Sequence, residues 1–391
     1  MYDYLLLVAT KVQKKLYFLL SIIRKGVNLQ SLILNAFMIT AIFFILLIIT
    51  FSSCSQNSAS NSINDNNRGE KIEFRHAKLV KAVKYADTLR IDICNPWDTT
   101  KLLRSISVKT PIERAAVYSA THAALLVELG VADRIGGIFD IPYLKNEVLQ
   151  SMIAEDRIRN LGSSNSVGIE DIMYLQPDIL MPSPYENNGG YGRLEQMGIP
   201  IMECADYMEV SPLARAEWIK IYGSLFGVAA KADSLFNAIE AKYISLRDLT
   251  DRQEKKPRLL TERPFSGAWH VPCGESTTGQ LYRDAGADYI FSDLHGTGAR
   301  AISIEEVLNR ASDADFWLIK SFGDVTKKDI LKDMPLLRIL PARLVVCNTD
   351  VVPFFEETPF HPEYLLENLI ALFHPELGIV PEHEYFRVNE K

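Results

Sequence analysis

One stretch limits the fold more than any other: residues 229–252, AAKADSLFNAIEAKYISLRDLTDR. Leu235, Ile239, Tyr243, Leu246 and Leu249 recur there at steps of three and four, charges fill the gaps, and neither Gly nor Pro interrupts. That spacing predicts one long amphipathic helix. A copy of a single pattern lies on each side of it. Upstream, THAALLVELGVADRIGGI (residues 121–138) leads through GIEDIMYLQPDILM (168–181) to GIPIMECAD (198–206). Downstream, TTGQLYRDAGADYIF (277–291) leads through SIEEVLNRASDADFWLI (303–319) to RLVVCNTD (343–350). In each copy a helix closes at a Gly beside an Ala-Asp pair, an Ile-Glu opens a second helix, and an Asp precedes a buried strand. The fold class is therefore α/β: two Rossmann-like α/β lobes joined by a single long α-helix.

A chain of 391 residues that is 48% hydrophobic and 10% aromatic can fill two cores of ordinary size. Its net charge of −7 provides no basic field, and aromatic residues do not interleave with Arg and Lys as single-strand binding requires. Nucleic acid is not expected as a partner on these grounds. The expected layout is a lipoprotein signal or membrane segment over 1–54, a flexible tether over 55–71, an N-terminal hairpin extension over 72–110, lobe 1 over 111–228, the linking helix over 229–253 and lobe 2 over 254–391.

Lys11, Lys14, Lys15, Arg24 and Lys25 precede an uncharged apolar run at 31–53, long enough to span a bilayer at ~20 residues. A basic region, an apolar region and small residues make an export signal, with an uncleaved membrane anchor as the alternative. Ser52 and Ser53 before Cys54 resemble a bacterial lipoprotein signal, which implies that Cys54 is the lipidated first residue, although Phe51 stands where Leu is usual. Both readings make the chain a periplasm-facing, membrane-anchored protein. The Ser- and Asn-rich residues after Cys54 are too polar to fold.

In TLRIDIC (88–94), Leu89, Ile91 and Ile93 alternate with Arg90 and Asp92, a half-exposed strand before an Asn-Pro-Trp-Asp turn. Open α/β sheets bind ligands in the loops after the carboxyl ends of their strands. The first such loop in lobe 1 carries Thr121 and His122; Thr121 can cap the next helix and leave backbone N–H groups facing outwards. A later one, PSPYENNGGYG (182–192), carries Tyr185 and Tyr191, which can stack on a ligand or simply flank a Gly turn. In lobe 2, ERPFSGAWHVPCGES (262–276) reads as a loop exposing Trp269 and His270, and further loops supply His295, Phe354, Phe355 and His361.

LVELGVADRIGGI, NLGSSNSVGIEDIMYLQPDIL, LEQMGIPI, ISIEEVL and LLENLIALFHPEL, in that order over residues 114–377, resemble the substrate-binding proteins of ABC importers for iron chelates, haem and cobalamin. The resemblance implies a ligand cleft between the lobes, modest closure about a rigid helix, and delivery of a metal chelate to an inner-membrane permease dimer. It also implies that one acidic residue per lobe docks into the permease; by position these are Glu170 and Glu305. A carboxylate in the first turn of a helix is favoured by the helix dipole, and two separated carboxylates suit a paired partner.

A bare zinc or manganese importer is the alternative, with His122, His270 or His295, and Asp350 as ligands, but the chain lacks a His-rich acidic loop. For haem, a single imidazole from His270 or His295 would suffice as axial ligand. A tethered sensor with the same fold is a third reading. Cys94, Cys204, Cys273 and Cys347 form no Cys-x-x-Cys, so zinc and iron–sulfur ligation lack their usual spacing; Cys204 and Cys347 are expected as buried thiols. No dinucleotide, phosphate-loop or Gly-x-Ser-x-Gly motif is present, and no nucleophile is paired with a base, so the expectation is a binding protein with no cofactor of its own rather than an enzyme.

Overall fold

The computed structural model describes residues 69–186 and 190–389. The signal segment with Cys54, and most of the tether, lie outside the described residues. Strands β1 (Glu70–Ile72), β2 (Val80–Lys84), β3 (Thr88–Asn95) and β4 (Asp98–Lys109) form an antiparallel sheet in that order. The alternation read in β3 holds: Leu89, Ile91 and Ile93 are fully buried while Arg90 is exposed. Asn95 makes the following turn, its Oδ1 accepting from the N–H groups of Trp97 at 2.9 Å and Asp98 at 3.2 Å. The expected hairpin is thus a four-stranded sheet, because Val80 and Ala82 also alternate into the core and extend the pairing.

Two buried carboxylates fix this sheet to the body. Glu217 accepts from the backbone N–H groups of Arg75 (2.8 Å), His76 (2.7 Å) and Ala77 (2.9 Å), and Glu209 from those of Lys78 (3.0 Å) and Leu79 (2.9 Å). Both glutamates are nearly inaccessible to solvent. Such burial is tolerated because each charge is met by several donors.

Lobe 1 runs β5 (Ala115–Val117), α1 (Ala120–Glu128), β6 (Ile135–Ile138), α2 (Glu147–Ala154), β7 (Arg159–Asn160), α3 (Ile169–Leu175) and β8 (Ile179–Met181). Its sheet is parallel, in the order β7-β6-β5-β8. After α4 (Arg193–Gln196) comes the connection to the linking helix. The sequence suggests one helix there, from Leu213 to Phe226, and the structure has two, α5 (Pro212–Ala216) and α6 (Ile219–Leu225). The ladder tightens to i→i+3 bonds at Trp218 and Lys220, the turn that carries Glu217.

The linking helix is α7 (Ala229–Thr250). Its buried row is Ala232, Phe236, Ile239, Tyr243, Leu246 and Thr250, while Leu249 is exposed, so the apolar stripe sits slightly to one side of the predicted one. It packs against α6 and against the helix Pro362–Phe373 of lobe 2.

Lobe 2 begins with β9 (Arg258–Thr261), a hairpin of β10 (Pro264–Phe265) and β11 (Ala268–Pro272), then α8 (Thr277–Asp284), β12 (Asp288–Tyr289) and β13 (Ala299–Ile302). It continues with α9 (Ile304–Arg310), β14 (Phe316–Ser321), α10 (Lys327–Asp333), β15 (Arg343–Asn348), α11 (Phe354–Glu357), α12 (Pro362–Phe373) and β16 (Arg387–Val388). The main sheet has the order β12-β9-β14-β15-β16, parallel except for β16, and β10-β11-β13 form a separate antiparallel sheet.

The internal repeat read from sequence is present at atomic level. Asp178 accepts from the N–H of Arg114 and donates its own N–H to the Arg114 carbonyl, both at 2.8 Å. Asp315 does the same with Arg258, at 2.8 and 2.9 Å. Each arginine then reaches the end of the helix that leads into the aspartate: Arg114 donates to the Leu175 carbonyl and Arg258 to the Arg310 carbonyl. One Arg-Asp device thus sets strand register in both lobes.

Candidate ligand cleft between the lobes

The exits of β5 and β6 in lobe 1 face the exits of β14 and β15 in lobe 2 across a cavity of about 410 Å³. Ser119 caps α1 by accepting from the Thr121 N–H at 3.2 Å, which turns the β5 exit towards the opposite lobe. The Thr121 hydroxyl donates to the Phe355 carbonyl at 2.6 Å. Lys145, after β6, donates its N–H to Glu356 Oε1 at 2.5 Å and its ammonium to the Asp350 carbonyl at 2.7 Å. These three bonds hold the segment around α11 against lobe 1 and form one wall of the cavity.

Aromatic rings from both lobes line the space. Tyr143 is 68% exposed, Phe322 70% and Phe355 50%. Tyr118 stands beside Phe139 with ring centroids 4.2 Å apart; its hydroxyl is buried without a partner, and burial pushes its pKa up to about 12. Asp140 adopts a left-handed backbone (φ 53°) and accepts from both the N–H and the hydroxyl of Ser164. Glu356 is almost wholly buried, and that burial raises its pKa although the Lys145 N–H opposes the shift. Behind Phe354 and Phe355 lies a second cavity of about 220 Å³. Its two cations are already paired, Arg215 with Asp206 at 3.1 Å and Lys320 with Glu262.

Of the ligand-binding residues expected from sequence, Thr121, Phe354 and Phe355 line the cleft. His122 does not: it lies on the inner side of α1 with Nε2 at 2.8 Å from Asp206 Oδ1. Burial would raise the pKa of Asp206, but His122 and Arg215 outweigh it and hold the carboxyl below its usual range. Tyr185 is exposed in the β8 exit loop but is not part of the cavity lining. Tyr191 is half-buried under the guanidinium of Arg104, 5.4 Å away. Arg104 in turn pairs with Glu195 at 3.0 Å and Glu203 at 3.3 Å, so this tyrosine anchors its loop.

The stretch at 262–276 is the clearest correction. It is a hairpin rather than an open loop, turning at Ser266 and Gly267, which both have positive φ. Trp269 is fully buried in β11, donates Nε1–H to the Thr261 carbonyl at 2.9 Å and packs on Trp317. His270 is exposed on the same strand, opposite Ala301, and His295 is 86% exposed with Nδ1 at 2.8 Å from Glu275. Neither lines the cleft, so neither offers an axial imidazole to a haem there. His361 is buried between Glu128 of lobe 1 and Glu363 of lobe 2, each at 2.8 Å. Burial lowers its pKa, but the two carboxylates overcome this and push it up to about 9. The zinc-type set of His122, His270 or His295, and Asp350 is not assembled, because His122 is held by Asp206 and only Asp350 reaches the cleft.

Sequence reasoning did not reach Tyr118, Asp140, Tyr143, Lys145, Phe322 or Glu356 as cleft residues. Their one common signal is position, just beyond the carboxyl end of a buried strand. Among the thiols, Cys204 and Cys347 are buried and free as expected; burial raises both pKa values, that of Cys347 to about 12.

Glu170 and Glu305 occupy the first turns of α3 and α9, and both are exposed. Their neighbours are engaged, Asp171 with Arg159 at 3.1 Å and Glu306 with Arg310 at 2.9 Å. Glu170 and Glu305 make no ion pair among the described residues.

Two parallel α/β sheets, one long helix between them and strand-exit loops meeting around one cavity define a two-lobe solute-binding protein. The chain belongs to the periplasmic binding protein family, whose profile matches residues 115–343. That family consists of solute-binding proteins, not enzymes. An uncharacterized lipoprotein of Methanocaldococcus jannaschii is 24% identical over 330 residues, covering 81% of this chain and 78% of the relative. A periplasmic heme binding protein of Pseudomonas aeruginosa superposes with a TM-score of 0.54 at 16% identity, covering 72% of this chain and 99% of that one. A protein described as an ABC-type Fe3+-hydroxamate transport system of Saccharomonospora viridis gives 0.53 at 18% identity, covering 69% and 95%.

Proposed function

We propose that this protein is the ligand-capturing lipoprotein of an ABC importer, taking a metal chelate (a ferric siderophore, haem or cobalamin) into the cleft between its lobes and handing it to an inner-membrane permease. The observation that carries the reading is the aromatic wall contributed by both lobes, Tyr118 and Tyr143 from one and Phe322 and Phe355 from the other. Such faces suit a bulky, partly apolar ligand, and the cross-lobe bonds of Thr121 and Lys145 pre-organise the surface that meets it. The names of the structural neighbours agree with this ligand class.

Cys54 carries the lipid in this reading, and Glu170 and Glu305 dock to the permease. Their unpaired state, beside neighbours that are paired, keeps two carboxylates open for cationic pockets on a partner.

Tryptophan fluorescence and visible absorbance of the full chain in detergent, titrated with haem, ferric siderophores and cobalamin, test ligand capture. Saturable binding of one chelate at micromolar or better affinity is expected; silence across the panel would reject it. With the permease reconstituted, Glu170→Ala combined with Glu305→Ala should cut uptake about tenfold or more while chelate affinity stays unchanged. Lost affinity in that double variant would count against docking.

A further inference from the structure

We propose that the cleft selects its ligand by charge, accepting an uncharged or cationic chelate and turning away polyanionic ones, with Asp350 as the group that meets the ligand's positive charge. This inference rests on the chelate-capture reading and adds to it the chemical class of the ligand.

Three carboxyl groups, Asp140, Asp350 and Glu356, line the cavity against one amine, Lys145. The amine donates one hydrogen bond to the Asp350 carbonyl at 2.7 Å, and its single positive charge offsets at most one of the three carboxyl groups. Among the described residues no arginine or histidine lines the space. The next cations, Arg215 and Lys320, lie behind Phe354 and Phe355, and each is paired with an acid of its own.

The three carboxyl groups differ in what they can offer. Glu356 is buried and receives the Lys145 N–H. Asp140 is turned onto Ser164. Asp350 is exposed, and no hydrogen bond or ion pair engages its carboxylate among the described residues, only its main-chain atoms being bonded. Around it the rings of Tyr143, Phe322 and Phe355 share the cavity, and aromatic faces attract cations through their quadrupoles. A ligand carboxylate or catecholate entering here meets like charge. A ligand ammonium meets the reverse.

The test uses the full chain in detergent and ligands graded by charge: ferrioxamine B as a cationic ferric hydroxamate, ferrichrome and cyanocobalamin as uncharged chelates, and haem and a ferric tris-catecholate as anions. The cationic and uncharged chelates should bind at least about tenfold more tightly than the anions, with the cationic ligand's affinity falling as salt is raised. Asp350→Asn should weaken ferrioxamine B about fivefold more than it weakens the uncharged ligands and leave the melting temperature unchanged. Asp350→Lys should narrow or reverse the gap between cation and anion.

A wild-type preference for the anions, or an unchanged ferrioxamine B affinity in Asp350→Asn, overturns the charge assignment while leaving chelate capture standing. Failure of every chelate to bind overturns both.

Discussion

The two lobes share one frame and differ in the connection that leaves their first strand. Arg114 with Asp178 and Arg258 with Asp315 make matching main-chain locks. In lobe 1 the chain leaves β5 and enters α1 almost at once, so Tyr118, Ser119 and Thr121 stay at the cleft. In lobe 2 the chain leaves β9 into the β10-β11 hairpin, which joins β13 in a sheet of its own. That insertion buries Trp269 and carries His270 and His295 off to another surface, and the cleft wall passes to the exits of β14 and β15. Equivalent positions in a repeat therefore need not share a role, because the connections, unlike the strands, are free to grow.

The sharpest way to break this comparison is to exchange a buried aromatic for an exposed one. Trp269→Ala should cost about 3–5 kcal/mol of folding stability, while the molecules that remain folded bind chelate normally. Phe322→Ala should leave stability within about 0.5 kcal/mol and weaken chelate binding about tenfold. Calorimetry and fluorescence titration on the pair check both halves; weakened binding in folded Trp269→Ala would return that residue to the cleft.

A smaller effect should come from the seam where the lobes meet at His361. Its folded pKa of about 9 exceeds the ordinary 6.5. The stabilisation is thus complete below pH 6.5 and disappears as pH rises through about 9, on the order of 3 kcal/mol in all. The melting temperature should fall over that window, and His361→Gln should flatten the dependence. The smallest effect tests the shared frame itself. Asp178→Ala and Asp315→Ala should each cost about 1–2 kcal/mol; denaturation giving clearly unequal losses would show that the locks are not equivalent.

Much of the frame is legible in the sequence because it is periodic or local. The linking helix declares itself by spacing, and the repeat by Gly, Ile-Glu and Asp at matched places, down to the aspartates of the two locks. The cleft is only partly legible. Thr121 and Phe355 stand in strand exits, but Lys145 meets Glu356 across 211 positions, and no local pattern marks such a pair. Trp269 misleads because Gly and Pro around an aromatic suggest an open loop. Ser266-Gly267 between apolar residues also fits a tight hairpin turn, and the partner strand β13 decides the matter. The clamp made by Glu209 and Glu217 is hidden as well, since surface acids and buried main-chain acceptors look alike in a sequence.

That clamp bears on how the protein handles mechanical load. Any tension arriving from the residues before Gly69 first meets β1, whose three pairings with β2 can open in succession. It then reaches Arg75, His76, Ala77, Lys78 and Leu79, whose N–H groups converge on two carboxylates that hold them side by side. Such bonds share a pull instead of yielding one at a time. The clamp therefore acts as a strain relief, spreading any pull on this segment over two carboxylates before it reaches the lobes.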